Sequence, residues 1–399
     1  MYKIGIIIPT KNRFDFLIRQ LLYYSSVGSL HTVYIGDASD GPEREAFERQ
    51  IYSIKNIKIK FFHWPDKNDR QTIAGLARLV SEDYCAFVGD DDFLVPNSLN
   101  KAAAFLASNP EYRTAQGKGI LFSIKDSGAF GLINSLGAYW ERKDAEENSA
   151  EGRLLNFGEN YWVPQFSVHR TAEFVEDCFN YDTMEDKSFG ELLHSFSFIT
   201  KGKSHYLDCL YLFRQSHDAR YTLPDIFDWV TSSKWNPSYC VFRDTLVSSL
   251  MEADGILEEE KARDVIKRAF WGYLGKASYN KYQGKYNRFE SLTKDTNDSK
   301  SIPPANIFER LKKASRIQHV KQLLTENKLF VAEKLGFFSK GEELKKEGED
   351  GRLVLSELLQ KSSPYYEDFM PVYKSITADE ENSNCIKKIK YLLLVVQDI

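Results

Sequence analysis

The sequence predicts an α/β fold, in which a doubly wound sheet is flanked by helices and followed by a mainly α-helical C-terminal region. Strand-like and helical segments alternate along the first 110 residues. The strand-like segments are almost continuously apolar, as is typical of strands buried in a parallel sheet. Beyond Pro224, long charged stretches carry apolar residues at helical spacing. We therefore predict one domain over residues 1–224 and a mainly helical second domain over residues 225–399.

Each element of the first domain is predicted from its own pattern. Lys3–Ile8 is nearly all apolar and is followed by Pro9, which indicates a buried strand. Between Phe14 and Leu21 the apolar residues recur at i, i+3, i+4 and i+7, which indicates a helix. The same reasoning predicts strands at Thr32–Gly36, Ile57–Trp64 and Tyr84–Val88, and helices at Ile73–Val80 and Asn97–Asn109. The pattern is less regular from residue 115 to residue 225.

The overall composition excludes several classes of protein. The formal net charge is −4, from 53 basic and 57 acidic residues, so there is no basic excess of the kind that nucleic-acid binding needs. The five cysteines include no CxxC pair, which argues against a zinc site and a disulfide framework. No apolar run approaches the roughly 18 residues of a membrane span, and no signal-peptide pattern is present. We therefore expect a cytoplasmic protein without a transmembrane helix.

Polar clusters follow three of the predicted strands. They are "PTKNR" after the first strand, "DASDG" after the second and "DDD", Asp90 to Asp92, after the fourth. In a doubly wound sheet, ligands bind beyond the carboxyl ends of the strands, so all three clusters should line one crevice. Carboxylates there could hold Mg²⁺ or Mn²⁺ against a diphosphate. The alternative is a solvated acidic turn or the first turn of a helix, where aspartate is favoured.

The order of the motifs "GIIIPTKNR", "YIGDASDG" and "FVGDDDFLVP" resembles that of family 2 glycosyltransferases of the GT-A fold, over roughly residues 1–225. The resemblance implies a nucleotide-diphosphate sugar donor, a divalent metal and transfer of the sugar to an acceptor hydroxyl with inversion at the anomeric carbon. It also implies a glycan or lipid-linked acceptor, as in the synthesis of bacterial surface glycans.

The resemblance assigns roles to individual residues of the first domain. The residues implied to bind the nucleotide-sugar are Pro9, Thr10, Arg13, Asp37, Arg70, Gly75 and Asp90, and those implied to bind the metal are Asp91, Asp92 and His217. Many relatives show a D-x-D-D pattern, whereas Gly89 precedes an unbroken DDD here, which leaves open which aspartate binds the metal. Asp37 could instead form an Asx-turn, and His217 could instead be an exposed loop histidine.

An inverting transfer needs a general base. In "YDTMEDKSFGELLHS", the acidic pair "ED" resembles the base motif of the family. Asp186 is predicted to take the proton of the acceptor, with Glu185 as helper or acceptor contact. The alternative is an acid pair that is favoured at a helix N-terminus by the helix dipole. His169 is expected to be structural rather than catalytic.

The C-terminal region carries no recognisable motif. Its basic segment Glu309–Leu324 could rest on an anionic membrane surface at the inner face of the membrane. The alternative is a solvated helix face in a domain that packs or forms a homo-oligomer. Two other functions stay open, a nucleotidyltransferase of related fold and a non-catalytic scaffold. The first loop, "PTKNRFDF", lacks the glycines expected of a nucleotidyltransferase, and the acidic pairs argue against a scaffold.

Overall fold

A computed structural model describes residues 1–41, 44–125, 128–140, 143–178, 184–218, 223–256, 258–297 and 358–378. The first four strands alternate with helices, as the sequence predicts. They are β1 (Ile4–Thr10), α1 (Phe14–Ser26), β2 (Thr32–Asp37), α2 (Arg44–Ser53), β3 (Lys58–His63), α3 (Asp69–Ala77) and β4 (Tyr84–Phe87). The predicted boundaries of these four strands are correct to within two residues.

The next part of the chain completes the sheet. Its elements are β5 (Phe93–Leu94), α4 (Pro96–Ser108), β6 (Tyr112–Ile124), β7 (Ile133–Trp140), α5 (Ala150–Glu159), β8 (Val168–Arg170), α6 (Thr171–Asp177), α7 (Lys187–Lys201) and β9 (Lys203–Gln215). The strand order in the described sheet is β3-β2-β1-β4-β8-β6-β9-β5, with β7 on β6. The sheet is therefore mixed, because β1 to β4 are parallel whereas β8 is antiparallel to both β4 and β6.

The parallel half of the sheet is buried on both faces, which explains its apolar strands. Ile6 and Ile8 of β1 belong to a core that includes Leu17 of α1, whereas Ile7, between them, belongs to a second core with Leu76 of α3. Alternate side chains of a strand point to opposite faces, so helices cover both sides of the sheet. The α/β fold class predicted from the sequence is confirmed.

The register of the parallel strands places the polar clusters at one edge. Thr10 at the end of β1 pairs with Asp37 at the end of β2, and Ile7 of β1 pairs with Phe87 at the end of β4. The chain segments that follow these three strands therefore leave the sheet side by side, as expected for the carboxyl ends of parallel strands.

The described residues beyond 224 are mainly helical, with short turns between the helices, as the sequence predicts. The helices are α8 (Ile226–Val230), α9 (Trp235–Asp254), α10 (Glu259–Asn297) and α11 (Tyr366–Thr377). The chain forms two compact units, Met1–Ala277 with Arg352–Ile399, and Ser278–Gly351. Within the first unit, Phe189 of α7 packs against Phe242 of α9 and Phe270 of α10. A domain boundary at residue 224 stays a prediction.

Some predictions for the C-terminal region concern residues that the structure does not describe. The basic segment Glu309–Leu324 is one of them, and so is the end of the chain at residues 391–396. The polar loop expected over Thr293–Asn306 is helical at its start, because α10 continues to Asn297. Proline and glycine are the strongest helix breakers, and none occurs there before Pro303. None of the helices in the described ranges has the length and apolar character of a membrane span.

Candidate active site

A cleft of about 950 Å³ opens at the carboxyl ends of β1, β2 and β4. It is lined by the loop after β1, the loop after β4, the start of α3 and one face of α7. Its charged lining residues are Lys11, Arg13, Lys67, Asp69, Arg70, Asp90, Asp91, Lys187, Glu191 and Arg214. The cleft is therefore large enough for a drug-sized ligand and combines cationic side chains, which suit phosphate groups, with carboxylates.

Half of the site residues predicted from the sequence line this cleft. Those that line the cleft are Pro9, Thr10, Arg13, Arg70, Asp90 and Asp91. Those that lie outside its lining are Asp37, Gly75, Asp92, Glu185, Asp186 and His217. The second group still includes direct neighbours of the cleft, because several of them contact residues that line it.

Asp90 faces the cleft beside the end of β1. Its Oδ2 accepts a hydrogen bond of 2.7 Å from the hydroxyl of Thr10, and its Oδ1 lies 3.3 Å from the guanidinium of Arg13. Burial, and secondly the negative charge of Asp91, raise the pKa of Asp90 to about 7.

Asp91 has stronger partners than Asp90. Its Oδ2 accepts a hydrogen bond from Arg13 and lies 2.9 Å from Nε2 of His217. Burial raises the pKa of Asp91, but the hydrogen bond with His217 and the charge of Arg13 outweigh it, so the pKa lies below its ordinary value. The side chain of His217 is fully buried, so the alternative of an exposed loop histidine is wrong.

Asp92 points away from the cleft, toward β9. Its Oδ2 accepts a hydrogen bond of 2.9 Å from Nε of Arg214, and its Oδ1 accepts one of 3.0 Å from the backbone N–H of Gln215. Both oxygens are therefore already bound by the protein. The metal role assigned to Asp92 from the sequence stays a prediction, but the geometry gives this residue the task of holding the loop to β9.

The backbone of the aspartate loop rests on a residue that sequence reasoning missed. Arg19 of α1 is fully buried and donates hydrogen bonds to the carbonyl oxygen of Asp91 and to Oε1 of Gln215, both at 2.6 Å. Burial lowers the pKa of this guanidinium to about 10. In the sequence, Arg19 lies in the middle of an amphipathic helix, where a charged residue is ordinarily exposed.

Asp90 and Asp91 are suited to a divalent cation that also binds a ligand. Across the residues that the structure describes, no group of three or more His, Cys, Asp and Glu side chains is arranged to hold a metal ion. Mg²⁺, however, commonly takes only one or two protein carboxylates and completes its shell with water and substrate phosphates. Asp90 and Asp91 are consecutive carboxylates that both line the cleft. The residues therefore fit such a cation.

Asp37 forms the Asx-turn that the sequence left open as an alternative, and its contact with the nucleotide stays a prediction. Its Oδ1 accepts a hydrogen bond of 2.9 Å from the backbone N–H of Ser39, which forms the Asx-turn. Its Oδ2 is buried and has no hydrogen-bond partner among the described residues. A buried acceptor without a partner is costly. One oxygen is therefore structural, and the other is a buried acceptor without a partner in the described part of the chain.

Gly75 and Arg70 have different positions. A Cβ at Gly75 would lie 3.1 Å from Nζ of Lys67 and from the ring of Trp64. These two side chains form a cation–π pair with 3.6 Å between Nζ and the ring centroid, so the glycine makes room for the pair.

Arg70 lines the cleft and donates a hydrogen bond of 3.0 Å to the carbonyl oxygen of Met184. It therefore connects α3 to the segment before α7.

Asp186 is the N-cap of α7, so it lies at a helix N-terminus, as the alternative from the sequence expected. Its Oδ1 accepts hydrogen bonds from the backbone N–H of Phe189 at 2.9 Å and from Nε1 of Trp229 at 3.0 Å. Within the described part of the chain, no hydrogen bond to its Oδ2 is present. Asp186 is half-buried and directly precedes Lys187, which lines the cleft, whereas Glu185 is exposed. Its role as base stays a prediction.

Glu191 is a second cleft residue that sequence reasoning missed. It lies four residues after Lys187 on α7, and both side chains line the cleft because i and i+4 share one face of a helix. The hydroxyl of Tyr161 donates a hydrogen bond of 2.9 Å to Oε1 of Glu191. The i, i+4 spacing of two charged residues opposite an apolar face was the signal available in the sequence.

The fold and the cleft define the protein as an α/β protein with a charged ligand cleft at the carboxyl edge of a mixed sheet. No family model matches the chain, and no curated protein matches it. Residues 1–349 of TarS from S. aureus have a similar structure, with 16% identity, a TM-score of 0.43 and coverage of 68% of this chain and 72% of that chain. For the same protein in complex with UDP-GlcNAc, the identity is 13%, the TM-score is 0.45 and the coverages are 68% and 73%.

Proposed function

We propose that this protein is an inverting glycosyltransferase that moves a sugar from a nucleotide-diphosphate donor to an acceptor hydroxyl. The observation that carries the proposal is the cleft at the carboxyl edge of the sheet, which is lined by Asp90 and Asp91 together with several lysines and arginines. The sequence motifs point to the same chemistry, because the residues they nominate around Thr10, Arg13 and Arg70 line this cleft. The acceptor would be a glycan or a lipid-linked glycan of a bacterial surface.

The donor would bind with its diphosphate between the cationic residues. Arg13, Lys67 and Arg70 provide fixed or hydrogen-bonding positive charge for phosphate oxygens. The Oδ2 of Asp37, which has no hydrogen-bond partner among the described residues, would accept a hydrogen bond from the base or the ribose.

Asp90 and Asp91 would hold a divalent cation, Mn²⁺ or Mg²⁺, together with the diphosphate. When bound, that cation neutralises the negative charge that develops on the departing nucleoside diphosphate. His217 supports Asp91 through the contact at 2.9 Å between Nε2 and Oδ2. Arg13 contacts both carboxylates, so it stabilises the pair whether or not a cation is present.

Asp186 would act as the general base. A bond forms between the acceptor oxygen and the anomeric carbon, while the bond from that carbon to the diphosphate oxygen breaks. The electron pair of the broken bond leaves with the nucleoside diphosphate, and the proton of the acceptor hydroxyl moves to Asp186. Attack from the face opposite the leaving group gives inversion. Glu191, which lines the cleft, would contact the acceptor.

The test is thermal stabilisation of the purified protein by UDP, GDP, CMP and dTDP, each with and without Mn²⁺. A ligand that binds only the folded state raises the melting temperature by mass action. We expect one nucleotide to give a shift that depends on Mn²⁺ and that Asp91→Asn abolishes. Asp264→Asn, which replaces an exposed aspartate of α10, is the matched control and should keep the shift.

Two outcomes would contradict the proposal. The absence of a shift with any nucleotide would favour a non-catalytic scaffold. Release of pyrophosphate, rather than a nucleoside diphosphate, during turnover would favour a nucleotidyltransferase, which could use the same carboxylates and metal.

A further inference from the structure

The indole of Trp229 contacts the proposed base directly. Its Nε1 donates a hydrogen bond of 3.0 Å to Oδ1 of Asp186. The same oxygen accepts the N-cap hydrogen bond from the backbone N–H of Phe189 at 2.9 Å. Two donors therefore converge on one oxygen of the carboxylate. The N-cap bond alone is the usual arrangement at a helix start, so the indole is the additional feature at this site.

Packing fixes the position of this indole. Trp229 is 4% exposed, and its ring lies 4.8 Å from that of Phe189, with further aromatic contacts to Trp235 and Phe270. The short helix α8 that carries it is itself capped, because Oδ1 of Asp225 accepts a hydrogen bond of 2.9 Å from the backbone N–H of Phe227. The N–H of the indole is thus held in one direction by its surroundings.

We propose that Trp229 is a positioning residue for the general base, an inference that rests on the proposed function of Asp186. A carboxylate at a half-exposed helix end can rotate about its side-chain bonds. With Oδ1 held by two donors, the carboxylate plane is fixed and Oδ2 is the oxygen that receives the acceptor's proton. Catalysis by a base requires this kind of placement within hydrogen-bond reach of the proton.

The test compares two tryptophans of the same aromatic cluster. Trp229→Phe removes the indole N–H and keeps a ring in place. Trp235→Phe is the matched control, since Trp235 also packs on Phe189 but its buried Nε1 has no hydrogen-bond partner among the described residues. The measured reaction is hydrolysis of the nucleotide-sugar whose nucleotide gives the largest thermal shift, with water as acceptor. A bond forms from the water oxygen to the anomeric carbon, the bond to the diphosphate breaks, and Asp186 takes the proton.

We expect Trp229→Phe to lower kcat about tenfold, in keeping with the loss of one hydrogen bond to a charged group. The KM for the nucleotide-sugar and the nucleotide-induced thermal shift should stay unchanged, because the donor site is not altered. Trp235→Phe should keep the wild-type kcat. If Trp229 were merely structural, Trp229→Phe would instead lower the melting temperature, and kcat would change equally in Trp229→Phe and Trp235→Phe.

The outcomes separate the inference from the function on which it rests. Wild-type kcat in Trp229→Phe together with a strongly reduced kcat in Asp186→Asn would overturn the positioning role and leave the proposed base intact. Equal losses of kcat in Trp229→Phe and Trp235→Phe would also overturn it. If the wild-type protein hydrolyses no nucleotide-sugar, or if Asp186→Asn keeps full activity, the proposed base fails and the inference fails with it.

Discussion

Asp92 and Arg214 form a buried ion pair whose loss should destabilise the protein. The distance from Nε of Arg214 to Oδ2 of Asp92 is 2.9 Å, and their side chains are 13% and 1% exposed. In an Asp92→Asn variant, the backbone N–H of Gln215 keeps an acceptor, but the guanidinium faces a neutral amide. Breaking a buried pair by removing one partner costs about 3–5 kcal/mol, because the remaining charge loses the counter-ion that is bonded to it.

Urea denaturation of wild type and Asp92→Asn, followed by circular dichroism, measures this loss. We expect the free energy of unfolding to fall by about 3–5 kcal/mol with an unchanged m-value. Asp264→Asn, at an exposed ion pair with Arg268, should change it by less than about 1 kcal/mol. If Asp92→Asn keeps wild-type stability but loses the Mn²⁺-dependent nucleotide shift, the structural role is wrong and Asp92 is a metal ligand.

Three further predictions concern buried histidine, helix packing and the cleft. Burial lowers the pKa of His169 to about 3, so the unfolded chain takes up a proton that the folded protein does not. The stability that neutral His169 contributes is therefore complete above about pH 6.5 and lost as the pH falls toward 3. In urea titrations, His169→Gln should lose less stability over that range than wild type. Gly158→Ala would place a Cβ 2.1 Å from the carbonyl oxygen of Ala269 and should lower the free energy of unfolding by about 1–3 kcal/mol. Gly275→Ala, in open space on the same helix as Ala269, should raise it by up to about 1 kcal/mol. Equal effects of the two substitutions would contradict the packing of α5 on α10. Gly190→Ala would place a Cβ 2.1 Å from Nη1 of Arg70, so the guanidinium must move and lose its hydrogen bond to Met184. Stability should fall by about 0.5–1.5 kcal/mol, and the nucleotide-induced thermal shift should decrease. An unchanged shift would argue against a donor contact by Arg70.

The parallel half of the sheet could be predicted because its information is local. Each strand from β1 to β4 is a short apolar segment bounded by turn residues, and a helical pattern follows it. The second half was much less predictable. β6 and β9 pair over long segments with register shifts, although nearly 80 residues separate their ends. Pairing of this kind depends on contacts that are distant in the chain and leave no periodic signal in either strand.

Within the candidate site, the sequence identified the right residue types but not their individual tasks. It placed the aspartate loop beside the loop after β1, and the contacts of Asp90 with Thr10 and Arg13 follow from that placement. It could not separate Asp90 and Asp91, which face the cleft, from Asp92, which faces β9. Three identical side chains in a row carry no difference that a sequence pattern can show.

What the sequence by itself determined is the alternating α/β order and the edge of the sheet at which the charged clusters meet. Only the tertiary structure decided which atoms meet there, such as Arg19 on the carbonyl oxygen of Asp91 and Trp229 on the carboxylate of Asp186. The physical reason lies in the range of the interactions. Hydrophobic periodicity and turn chemistry act between neighbours in the chain, whereas a hydrogen bond depends on distance and angle, which are fixed when remote segments pack together.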